Sequence, residues 1–82
     1  MSTTTFFEDD FYPANDDGRA DKSKPQTSLE LFRTNYFGDD QIFLRIELQE
    51  GHKNTIHLTK QQAKELAEAL LNVASYIGYD NR

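Results

Sequence analysis

No cysteine occurs among the 82 residues, so neither a disulfide nor a thiolate zinc site can reinforce the fold. Small secreted domains usually depend on such staples, and their absence favours an intracellular, cytoplasmic home. There is no tryptophan, and only two prolines and four glycines. The glycines form no cluster able to cradle a phosphate. The longest apolar runs fall far short of the roughly 18 to 20 residues that span a bilayer. Met1 is followed by Ser2, Thr3, Thr4 and Thr5, without the basic stretch that opens a signal peptide. Neither secretion nor membrane insertion is expected. A chain of this length holds one core and buries a smaller share of its surface than a larger domain does.

Basic residues are missing from one end. Residues 1–17 carry Glu8, Asp9, Asp10, Asp16 and Asp17 with neither Lys nor Arg, which accounts for the whole formal net charge of -5. Removing those five from the 14 acids leaves nine, which balance the nine bases further along. Phosphate contact needs clustered Lys and Arg, so direct binding to DNA or RNA is not expected.

Residues 1–27 show no persistent periodicity and contain Pro13, Gly18 and Pro25 among polar residues. They read as an acidic, mostly irregular arm, disordered or loosely docked. Within it, Phe6, Phe7, Glu8, Asp9, Asp10, Phe11 and Tyr12 place four of the chain's ten aromatic rings in seven positions. That is not ordinary linker composition.

Residues 28–82 read as a β-β-β-α domain of the α+β class. Residues 29–37 are rich in apolar and aromatic side chains and end at Gly38-Asp39-Asp40, which has turn chemistry. Residues 41–49 alternate, with Ile42, Leu44, Ile46 and Leu48 on one face and Phe43, Arg45, Glu47 and Gln49 on the other, the period of a half-buried strand. Residues 55–58 form a short third strand, with Ile56 and Leu58 facing Leu48 and Ile46 and His57 beside Glu47. The first hairpin admits two registers. One turns Phe32, Thr34 and Tyr36 to the core; the other turns Leu29, Leu31 and Phe37 there and brings Arg33 with them.

Thr59 and Gln62 form a capping-box pattern, and Ala63, Leu66, Ala67, Leu70, Val73, Ala74 and Ile77 follow at helical spacing before Gly78. The expected fold is therefore a three-stranded antiparallel sheet with a C-terminal helix packed on one face. The other face stays open, showing Phe43, Arg45 and His57. Such a sheet finds a partner or forms a homodimer.

The chain is poor in groups able to do chemistry. His52 and His57 are the only histidines, and they lie at a hairpin end without zinc-site spacing or cysteine partners. The pairs Asp9-Asp10, Asp16-Asp17 and Asp39-Asp40 fall on the arm or at a turn tip, whereas catalytic carboxylates need a rigid, water-poor cleft. Asn15-Asp16-Asp17-Gly18 lacks the acidic first ligand and terminal Glu of a calcium loop. No catalytic residue, metal or cofactor is expected.

The composition instead favours a small protein-protein interaction module, an adaptor or inhibitor. Its expected contacts are Phe6, Phe7, Glu8, Asp9, Asp10, Phe11 and Tyr12 of the arm and Phe43, Arg45 and His57 of the open face. The same rings could instead cover the chain's own sheet. In size and charge the chain resembles the small acidic α+β inhibitors of phages and mobile elements, the anti-restriction and anti-CRISPR proteins. That resemblance of class implies an alternative in which carboxylates imitate phosphate in the basic groove of a nucleic-acid-binding protein. A neutral folded part leaves such mimicry to the arm and the Asp39-Asp40 tip.

Overall fold

The computed structural model describes residues 1–49 and 51–78. Four strands and one helix follow in order: β1 (Thr3–Phe11), β2 (Thr27–Thr34), β3 (Gln41–Glu47), β4 (Lys53–Leu58) and α1 (Lys60–Tyr76). The strands form one antiparallel sheet in sequence order. The α+β class and the C-terminal helix stand as expected, but the sheet has four strands rather than three. The additional strand, β1, is built from the segment expected to be an irregular arm.

The β1 segment escapes a periodicity search because its alternation is interrupted. The register against β2 shifts between Thr5 and Phe7, so Phe6 is a bulge residue with no opposite partner. On either side of it the strand alternates. Irregular chain remains between β1 and β2, where Asn15 Oδ1 accepts from the amides of Asp17 and Arg19 at 2.9 and 3.0 Å around Gly18, whose φ is +79°.

In the first hairpin β2 and β3 pair Leu29 with Ile46, Leu31 with Leu44 and Arg33 with Ile42. This puts Leu29, Leu31 and Arg33 on the apolar side and rules out the register that turned Phe32, Thr34 and Tyr36 inward. Residues 35–40 form a longer connection than either expected turn. Phe37 does not join Leu29 and Leu31; its ring lies edge-on to Phe43 on the opposite face, 6.1 Å between centroids. Arg33 is tolerated on the apolar side because its guanidinium reaches the rim, donating to Asp40, Thr4 and Ser2 at 2.9, 2.9 and 3.1 Å.

The second hairpin differs from expectation in register but not in face. Leu48 N–H donates to His52 C=O at 2.9 Å and Gly51 N–H to Leu48 C=O at 3.0 Å. Gly51 has φ +91°, a region that glycine enters without penalty. The tight turn extends β4 back to Lys53, so Ile56 pairs with Leu44, Leu58 with Ile42, and His57 with Phe43 rather than Glu47. Glu47 instead pairs with Lys53, at 3.8 Å.

The sheet therefore has two distinct faces. Leu29, Leu31, Ile42, Leu44, Ile46, Ile56 and Leu58 form the helix-side face, extended onto β1 by Phe7 and Phe11, whose rings stack at 6.3 Å. Phe32, Phe43, Arg45, Glu30, Thr55 and His57 form the outer face. The helix begins one residue after β4. Thr59, in extended conformation, accepts from Gln62 N–H at 3.0 Å, while the Gln62 side chain accepts from Thr59 N–H at 3.0 Å. This is the expected capping box.

Helix and sheet do not close on one another. Among the described residues no apolar side chain is fully enclosed, and the one buried residue is Thr34, 5% exposed. A cleft of about 440 Å³ separates Leu31, Ile42 and Leu58 of the sheet from Ala63, Leu66 and Leu70 of the helix. The capping box is then the main local support of α1. Thr59→Ala is expected to lower stability by about 1 kcal/mol, read as a lower melting temperature by circular dichroism. A melt superimposable on that of the native chain would contradict this assignment.

Candidate functional site

The outer face holds the densest group of aromatic side chains. Its centre is Phe43, on the third of four strands, where three rings meet it from different directions. Phe32, directly opposite on β2, stacks on it at 5.6 Å and 24°. His57, opposite on β4, stands edge-on at 5.5 Å and 70°, and Phe37 reaches it from the β2–β3 connection. Aromatic pairs at such separations contribute about 0.5–1.5 kcal/mol beyond their buried area. The cluster is thus a fixed surface feature rather than a set of independent rings.

Charge is arranged around it. The Arg45 guanidinium lies 5.1 Å from the Phe32 centroid, within cation–π range, and forms an ion pair with Glu30. Thr5 Oγ1 of β1 donates to the other Glu30 oxygen at 2.8 Å. These two contacts, Thr5 first and Arg45 second, hold the Glu30 carboxyl below its usual range against a small opposing effect of burial. On β1, Glu8 lies opposite Glu30, next to the Arg45 pair, and Asp10 opposite Ser28 farther along the same face. Neither forms an ion pair among the described residues.

No family model matches this chain, and no curated protein or solved structure is similar to it.

Of the side chains singled out from the sequence, Phe43, Arg45 and His57 share the outer face with Glu8 and Asp10. Phe6, Phe7 and Phe11 do not. Phe7 and Phe11 lie on the helix-side face opposite Leu31 and Thr27, and Phe6, 69% exposed, lines the cleft below the helix. Asp9 lies opposite Leu29 on that same side, with its carboxylate accepting from the amide of Asp10 at 2.8 Å. Tyr12 follows the end of β1 and is exposed. The expected contact set is therefore divided between two faces of one sheet. The outer-face group also includes Phe32, Phe37 and Glu30. For Glu30 and Phe32 the signal in the sequence was the parity of the first hairpin, since any register that buries Leu29 and Leu31 must expose them; Phe37 reaches this face through the β2–β3 connection, which strand parity does not govern.

Among the described residues no group of three or more His, Asp or Glu side chains is arranged to hold a metal ion. No helix among them is long and apolar enough to cross a membrane.

The lowered Glu30 pKa sets a pH dependence. Because the folded-state value is the lower one, its stabilisation is fully present above the ordinary glutamate pKa and is lost as pH falls through the folded-state value. Thermal melts of native and Glu30→Gln protein are expected to differ near neutral pH by about 1 kcal/mol or less and to converge in acid. A gap of constant size at every pH would show that the carboxylate's charge is not what Thr5 and Arg45 hold.

Proposed function

We propose that this chain is a non-catalytic protein-interaction module, an adaptor or inhibitor, that grips another protein with the outer face of its sheet and the acids of β1. The observation that carries this reading is the convergence of Phe32, Phe37 and His57 on Phe43 with Arg45 over Phe32. Aromatic side chains and arginine supply most of the energy in protein interfaces when they are grouped and held. Here the sheet holds them, so little conformational freedom remains to be lost on binding.

The partner surface that suits this face is apolar or aromatic at its centre and basic at one side. Glu8 and Asp10 supply the matching negative charge. A nucleic-acid-binding protein offers such a surface, with its basic groove beside apolar structure. Pure phosphate mimicry is less well supported, because two of the outer-face carboxylates, Glu30 and Glu47, are engaged by Arg45 and Lys53 within the chain.

Phe37 gives the cleanest test, since it is 73% exposed and carries little of the fold. Native protein, Phe37→Ala and the double variant Glu8→Gln with Asp10→Asn are each immobilised and used to capture partners by cross-linking at low and high salt. Phe37→Ala is expected to weaken the specific capture at least tenfold, equivalent to about 1.4 kcal/mol, with the melting temperature lowered by no more than the loss of one aromatic pair. The acid-to-amide variant is expected to lose only the salt-sensitive part. Capture that is indifferent to Phe37 yet abolished by salt and by competing DNA would favour phosphate mimicry instead.

A further inference from the structure

We propose that the helix-side face is completed by a second copy of this chain, the α1 of each copy lying over the sheet of the other. Three independent features of the single chain lead there, and none depends on what the outer face binds.

The first is the joint between β4 and α1. Connections that turn a strand into a helix lying back across its own sheet usually take about 2–6 residues. Here Thr59 is the whole connection, and both its backbone and its side chain are committed to the capping box. A joint this short, with its one residue held in extended backbone by the cap, leaves α1 little freedom to settle onto its own sheet. The helix stands off across the cleft instead, leaving Leu66, Leu70 and Val73 of its stripe 42%, 62% and 59% exposed.

The second is the amount of uncovered surface. A folded monomer of 9.5 kDa is expected to expose roughly 5,000 Å², and this chain exposes 6922 Å². Its radius of gyration is 15.0 Å, against about 12 Å for a compact domain of this length. The excess is roughly 1,900 Å² per chain, or about 3,800 Å² for two chains, which falls within the range buried by obligate homodimers.

The third is complementarity. Each chain has one unpartnered apolar helix stripe and one unpartnered apolar sheet face, so two copies related by a twofold axis satisfy both surfaces with none left over. The sheet surface is nearly free of charge: Asp9 and Arg33 are its only charged side chains, and Arg33 is already matched by Asp40 at 2.9 Å. Like copies of an acidic chain can therefore meet on this face without bringing their acids together, since Glu8 and Asp10 lie on the other one.

Sedimentation equilibrium of the full chain is expected to show a particle of twice the 9.5 kDa chain mass; a one-chain particle throughout the micromolar range overturns the proposal. In a mixture of isotope-labelled and unlabelled chains, intermolecular NOEs are expected from Leu70 and Val73 to Leu44 and Ile46. Finding those contacts only within one chain, or finding intermolecular contacts only between sheets, overturns the exchange of helices. Leu70→Asp is expected to weaken the two-chain species at least a hundredfold. An unchanged particle mass for that variant also overturns it.

Discussion

Cross-strand pairing between β2 and β3 is the constraint on which both surfaces depend. With Leu29 opposite Ile46 and Leu31 opposite Leu44, the residues between them, Glu30 and Arg45, must meet on the reverse side, where they form an ion pair. Phe32 and Phe43 then stack next to that pair. A slip of one residue would send the carboxylate and the guanidinium to the apolar side and the leucines to water, so the alternative is disfavoured from both faces at once. Every other strand takes its orientation from this pair. β4 brings His57 to Phe43, and β1 brings Thr5 to Glu30.

From that register follows a division of labour across a sheet one layer thick. The apolar side is the one the fold must cover, and the aromatic side is the one already consolidated by its own ring contacts and charge pairs. In this chain the one helix, attached by a single residue, stands off from the four strands rather than closing over them. The proposed completion and the proposed recognition draw on opposite faces, and use of one would not consume the other.

Much of the sheet was legible in the sequence, for local reasons. The alternation of β3 gave its two faces directly, and the Thr59–Gln62 capping pattern located the start of α1. What escaped was set by longer-range geometry. The first hairpin's register depends on a six-residue connection that periodicity does not constrain, and Phe37 joined the outer cluster through that connection. The second hairpin kept its faces, but its partners moved because Gly51 closed a tighter turn than expected. His57 consequently met a ring rather than a carboxylate. The acidic strand was hidden for a third reason: Asp and Glu are poor strand formers, and the bulge breaks the strand's period where a pattern search would have found it.

That bulge has a consequence for the strand's chemistry. Thr3 and Thr5 lie opposite Thr34 and Phe32, and beyond Phe6 the pairing resumes with Phe7 opposite Leu31. Without the unpaired residue, strict alternation would have set Glu8 opposite Leu29, among the aliphatic side chains, and turned Phe7 outward beside Glu30. One unpaired position acts as a parity switch, sorting Phe7 and Phe11 to the oily side and two of the segment's three acids to the wet side. Deleting Phe6 would leave the strand's composition almost unchanged, yet would exchange the faces of every residue from Phe7 to Phe11 relative to Thr3–Thr5.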